Sequence, residues 1–211
     1  MKYKAIIFDF DGVILDSLKI KDSGFEKIFE AFPVGLVNEF MIYHKQNGGL
    51  SRYHKIRYFY EKLLGQSIDE KTVNEYADRF SSLMKSELTN KKYLIPDAIN
   101  FIRKIHASVR LHIASGTDEK ELQFLCKQLG LSEYFVSIHG SPMHKNDLVA
   151  LILSQNKYEK DEVCLIGDSV NDKEAALING IQFLGYNNEE LKNDINVYVT
   201  FFSDYIGKFL V

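Results

Sequence analysis

Short apolar runs recur along the chain at Lys4–Phe10, Leu111–Ala114, Val136–His139, Val163–Ile166, Ile181–Leu184 and Val197–Phe202. Each has the length of a strand, and nearly unbroken apolar character is what a strand covered on both faces requires. Between the runs the period changes. Ala98, Phe101, Ile102 and Ile105 follow the i, i+3, i+4, i+7 rule after Pro96-Asp97, and Leu122, Leu125, Cys126 and Leu129 do so before Gly130. That is the spacing of a helix with one apolar face. Strands separated by helices pair in parallel through right-handed crossovers, so the pattern predicts an α/β fold with a doubly wound, parallel, Rossmann-like sheet.

The alternation fails between Asp16 and Leu94, where helical stripes occur without a strand: Ile56, Phe59, Tyr60 and Leu63, then Val73, Tyr76, Ala77, Phe80 and Met84. The segment is either a helical stretch of one continuous core or an inserted helical cap. The insertion is the better reading, because the segment separates the first strand from an otherwise regular alternation. The expected organisation is an α/β core of residues 1–15 and 95–211 carrying an all-helical cap domain of residues 16–94.

Composition narrows the possibilities. The chain has 211 residues, 45% hydrophobic and 26% charged, ordinary values for a folded globular protein. Its 26 basic and 29 acidic residues give a net charge of −3, which leaves no global positive field for nucleic acid or an anionic membrane. The N-terminal apolar run is broken by Asp9 and Asp11, too early for a signal peptide or a membrane span. Cys126 and Cys164 form no metal-binding or disulfide pattern and read as buried thiols. A monomer in the reducing cytoplasm is the expectation. The histidines at 44, 54, 106, 112, 139 and 144 lack zinc spacing, and no glycine-rich nucleotide loop occurs. His44 and His54 either line the cap or are surface or half-buried residues.

In a doubly wound sheet ligands bind beyond the carboxyl ends of the strands. Those positions carry Asp9-Phe10-Asp11-Gly12, Ser115-Gly116-Thr117, and Gly167-Asp168-Ser169-Val170-Asn171-Asp172, while Gly140-Ser141-Pro142-Met143-His144-Lys145 follows the third strand. Asp11-Gly12 alone is a common turn signal. Asp9, Asp11, Asp168 and Asp172 at one rim repel one another unless protonated or bound to a cation, and a few hard oxygen ligands suit Mg²⁺. Ser115 offers a hydroxyl, Gly116 and Thr117 offer amides at the expected start of the next helix, and Lys145 offers a compact positive charge. Taken singly, Ser115-Gly116-Thr117 is an ordinary helix entry capped by Thr117 or Asp118. The ordered set describes an anion held beside a metal.

That set resembles the haloacid-dehalogenase superfamily of phosphotransferases over the whole chain. Asp9 to Gly12 is similar to its first motif, Ser115 to its second, Lys145 to its third, and Gly167 to Asp172 to its fourth. The helical insertion after the first motif resembles the small-cap subfamily that contains β-phosphoglucomutases and phosphoglycolate phosphatases. The resemblance implies that Asp9 attacks phosphorus to form an aspartyl-phosphate, and that Asp11 protonates the leaving oxygen and then activates water. It implies Mg²⁺ held by Asp9, the Asp11 backbone carbonyl and Asp168, with Ser115, Gly116 and Lys145 holding the phosphoryl oxygens. Asp172 would either orient Lys145 or reach the metal through water.

Asp11 argues against dehalogenating and phosphonate-cleaving members, which replace that second acid. Asn47-Gly48-Gly49-Leu50-Ser51-Arg52 is similar to the substrate loop of β-phosphoglucomutases, with Gly48 where those enzymes carry lysine. Arg52 is either a solvated turn residue or the group that binds the distal part of the substrate. The expected activity is Mg²⁺-dependent hydrolysis of a small phosphorylated metabolite. The alternatives are a phosphosugar mutase and a non-catalytic metabolite-binding protein of the same fold.

Overall fold

A computed structural model describes residues 3–205. Six parallel strands, β1 (Ala5–Phe8), β2 (Arg110–Asp118), β3 (Ser137–Ser141), β4 (Val163–Gly167), β5 (Gln182–Tyr186) and β6 (Tyr198–Val199), form one sheet in the order β3-β2-β1-β4-β5-β6. Successive residues of a strand point to opposite faces, and β1 divides accordingly. Ala5 and Ile7 pack with Leu148, Val149 and Ile152 of α7 (Lys145–Asn156) and with Ala175 and Ala176 of α8 (Val170–Asn179). Ile6 and Phe8 join the opposite layer with Phe101 and Ile102 of α5 (Pro96–Ile105) and Leu122 and Leu125 of α6 (Glu119–Leu129). Both cysteines are buried.

Strand ends shift by up to two residues in β1, β3 and β5, and two strands depart further from the sequence reading. β6 spans only Tyr198–Val199 before a 3₁₀ turn at Phe202–Asp204. β2 runs on to Asp118, because its pairing with β3 resumes at Asp118–Ser141 after an irregularity beyond Ala114.

The segment between β1 and α5 is helical: α1 (Leu18–Ile28), α2 (Val34–Gln46), α3 (Arg52–Tyr58) running into a π-helical turn (Phe59–Leu63), and α4 (Glu70–Leu88). Phe25, Phe29, Phe40, Phe59 and Phe80 are buried at its centre, with the Phe29 and Phe59 rings stacked at 3.9 Å. Full burial of each such ring contributes about 1.5–3 kcal/mol. The chain enters and leaves this cap side by side: Asp16 donates its amide to the Tyr93 carbonyl at 2.8 Å, and Ile95 donates to Ile14 at 3.0 Å. Among the described residues no helix is long and apolar enough to cross a membrane.

Candidate active site

The strand order reverses direction between β1 and β4, where the crevice of a doubly wound sheet opens. Phe8 pairs with Ile166, so Asp9 and Asp168 leave adjacent strands at nearly one level. The Asp9 amide donates to the Ile166 carbonyl at 2.9 Å. Gly12 then turns the chain with a φ of +78°, and a Cβ there would lie 2.0 Å from Asp168 Oδ2. Only glycine both adopts that angle and admits the carboxylate. Carboxylate oxygens of Asp9, Asp168 and Asp172 all lie within 4.8 Å of one another.

Three buried carboxylates so close must be protonated or share cations. Burial, then Asp172, pushes Asp9 up to about 7 against the pull of Lys145. Burial, then Asp9 and Asp172, raises Asp168 well above the usual carboxylate range. Lys145 supplies one cation: its ammonium lies 2.9 Å from Asp9 Oδ1 and donates to Asp172 Oδ1. Burial opposes its charge, but Asp172 and Asp9 outweigh that and hold it above the usual lysine range. Asp172 Oδ2 accepts from the Ser169 amide at 3.0 Å and from its hydroxyl at 2.5 Å, in the capping box of α8. Both Asp172 oxygens are thus engaged, one by the Lys145 ammonium and the other by Ser169. Apart from the nearby Lys145 ammonium, Asp9 Oδ1 has no hydrogen-bond partner among the described residues. A hard divalent cation fits Asp9 and Asp168, since it would supply the charge that Lys145 alone does not.

Asp11 is held differently. Ser17 donates to Oδ1 at 2.5 Å, Thr117 donates to Oδ2 at 2.6 Å, and the Lys21 ammonium binds the same oxygen. Burial opposes ionisation here, but Lys21, Ser17 and Thr117 together hold Asp11 below the usual carboxylate range. Gly116 and Thr117 do not open a helix, contrary to the sequence reading: β2 continues through them and Asp118 caps α6 by accepting from the Glu121 amide. Ser115 is buried beside them, its hydroxyl accepting from the Thr117 amide at 3.1 Å.

The cap closes over this rim around a cavity of about 260 Å³ whose wall includes Asp9, Asp11, Asp168, Lys21, Arg52 and Lys55. This is smaller than the roughly 300–1,000 Å³ of pockets for drug-sized ligands. The loop at Gly48-Gly49 lies directly on the second strand end: a Cβ on Gly116 would come within 2.4 Å of the Gly49 carbonyl oxygen. Arg52 lines the cavity, but its guanidinium binds Glu121 of α6 at 2.8 Å and Ser81 of α4, and lies 4.9 Å from the Phe80 ring centre. Tyr53 donates to Asp118 at 2.9 Å. Lys145 lines a second cavity of about 210 Å³ with His144 and Asn171.

The sequence reading did not single out Lys21, Ser17, Lys55 or the part of Thr117 in holding Asp11. Ser17 and Lys21 are four residues apart, and Lys55 follows Arg52 by three. Helical spacing of polar residues onto one face was the available signal. His44 is buried and lines the cavity, whereas His54 is exposed.

Residues 6–186 match the haloacid dehalogenase-like hydrolase family. The protein YhcW of Bacillus subtilis (strain 168), provisionally named a phosphatase, is 27% identical over 179 residues, covering 82% of this chain and 78% of its own. A phosphorylated carbohydrates phosphatase of Thermotoga maritima is 23% identical over 187 residues, covering 85% and 82%. The crystal structure of β-phosphoglucomutase from Clostridium difficile superposes with a TM-score of 0.77 over 99% of this chain and 97% of that one, at 17% identity. At that identity the likeness is one of fold.

Proposed function

The chain belongs to the haloacid dehalogenase-like hydrolase family, and from that premise we propose that it is a Mg²⁺-dependent phosphatase of small phosphorylated metabolites. The observation that carries the reading is the pairing of Asp9 with Asp168, two buried carboxylates from adjacent strands whose charge Lys145 only partly offsets. Both curated relatives carry the word phosphatase in their names, and one is named for phosphorylated carbohydrates.

Asp9 is the nucleophile: one carboxylate oxygen bonds phosphorus as the ester oxygen departs, leaving an aspartyl-phosphate. The negative charge of the incoming phosphate lets Asp11 take up a proton as substrate binds, and Asp11 hands that proton to the departing oxygen. It then accepts one from the water that hydrolyses the acyl phosphate, the step for which Lys21, Ser17 and Thr117 keep it ionised. Lys145, oriented by Asp172, holds a phosphoryl oxygen, with Ser115 and the Gly116 amide completing the cradle. The carboxylates of Asp9 and Asp168 and the Asp11 backbone carbonyl would hold Mg²⁺. When bound, the ion neutralises charge between nucleophile and phosphate. The cap excludes bulk water and selects the leaving group.

Release of inorganic phosphate from p-nitrophenyl phosphate tests the reading. Asp9→Asn is expected to remove turnover by at least a thousandfold while the circular dichroism melt stays cooperative. Turnover within tenfold of wild type would overturn Asp9 as nucleophile. Isomerisation of a sugar phosphate without net phosphate release would point to a mutase instead.

A further inference from the structure

Across the cavity from the carboxylates the cap presents a side-chain chain that the hydrolytic chemistry does not use. Asp22 of α1, His44 of α2 and Lys55 of α3 all line the cavity. The His44 Nε2 lies 2.9 Å from Asp22 Oδ1, and its Nδ1 lies 2.9 Å from Lys55 Nζ. Burial, then Lys55, Lys21 and Lys45, keeps the imidazole neutral, down to about 2. A neutral ring facing a carboxylate through Nε2 carries its proton there, which leaves Nδ1 to accept from the lysine.

Lys55 is therefore aimed, and among the described residues no carboxylate pairs with it directly, Asp11 and Asp22 acting on it only from a distance. It is only 2% exposed, it forms no ion pair among the described residues, and its second hydrogen bond is a long one of 3.4 Å to the Gly48 carbonyl. A buried ammonium without an anionic partner is costly, and a fold retains one where something else brings the charge. Lys21 and Lys45 add positive charge to the same wall. Arg52, the other cation there, is already neutralised by Glu121. Resting on the phosphatase reading, which sets one phosphoryl group at Asp9, we propose that Lys55, aimed by the Asp22–His44 pair, binds a second anionic group of the substrate, a carboxylate or a second phosphate.

Two matched pairs separate the sources: 3-phosphoglycerate with glycerol 3-phosphate, in which a carboxylate replaces a hydroxymethyl group, and fructose 1,6-bisphosphate with fructose 6-phosphate, which differ by one phosphoryl group. For wild type, kcat/KM should favour the doubly anionic member of at least one pair. Lys55→Met keeps the volume and apolar stem, so the fold is expected to persist. It should shrink that preference by about tenfold to a hundredfold, mainly through KM, as expected for loss of a charge-assisted hydrogen bond. No preference in wild type, or one that survives Lys55→Met, overturns the proposal. The same compounds titrated calorimetrically onto Asp9→Asn, with and without Lys55→Met, read the site without turnover. Tighter binding of a doubly anionic member that depends on Lys55 supports the subsite even if no phosphate is ever released, which would sink only the phosphatase reading. Equal binding by both proteins rejects the subsite.

Discussion

Lys55 meets the positive charges of Lys21 and Lys145, the carboxylates of Asp11 and Asp22, and the neutral ring of His44. Burial, then Lys21, brings its ammonium down to about 7 from an ordinary 10.5. Between those values the unfolded chain holds a proton that the native chain has released. Stability therefore rises with pH across that window, and the full cost of the buried charge is felt below pH 7. Melting curves of wild type and Lys55→Met between pH 6 and 10 should show the variant ahead by the widest margin at the acid end, with the gap closing as pH rises. Parallel curves would mean that Lys55 is not a buried charge. A residue of this kind is hard to read in a sequence. The string Tyr53-His54-Lys55-Ile56 looks like a solvated helix face, and only the packing of Phe25 and the His44 ring around Lys55 makes it otherwise.

At the scale of elements, the seam between cap and core is polar where α3 meets α6. The Arg52–Glu121 pair, with side chains 4% and 13% exposed, spans it beside the Tyr53–Asp118 hydrogen bond. Removing one member strands the other's charge, so Arg52→Ala is expected to cost about 3–5 kcal/mol, whereas replacing both by apolar residues of similar volume should recover most of that loss. At about 2–4 °C per kcal/mol for a chain of this size, differential scanning calorimetry resolves the difference. If Arg52→Ala leaves the melt in place and instead abolishes turnover of natural substrates alone, Arg52 reads substrate rather than clamping the cap. The loop preceding it was legible as a Gly-Gly turn. Its function as a cover was legible only from the resemblance, because the contact of Gly49 with Gly116 joins residues distant in sequence.

For the whole molecule, the acidic rim couples stability to metal. A ligand that binds only the native state at a hundred times its Kd stabilises by about 2.7 kcal/mol, or roughly 5–10 °C in Tm at this chain length. Mg²⁺ added to EDTA-treated protein should give a shift of that order, and Asp168→Asn should lose most of it. An equal shift in wild type and Asp168→Asn would place the ion elsewhere. The variant removes one of three mutually repelling carboxylates, so its metal-free form should melt no lower than wild type.

What the sequence determined by itself was whatever local pattern can specify: the parallel sheet from buried apolar runs, the strandless helical segment, and the carboxylates at strand ends, because hydrophobic period and strand polarity fix which end of each run faces the crevice. The extent of β2 and β6 escaped it, since each depends on a neighbouring strand to pair with. Tertiary structure alone decided which polar groups meet. Asp172 turned to Lys145, Arg52 to Glu121, and Lys21 and Thr117 to Asp11. The physical reason is range: a hydrogen bond or ion pair needs only a few ångströms in space, and partners separated by 10 to 106 positions in the chain carry no periodic mark of that closeness.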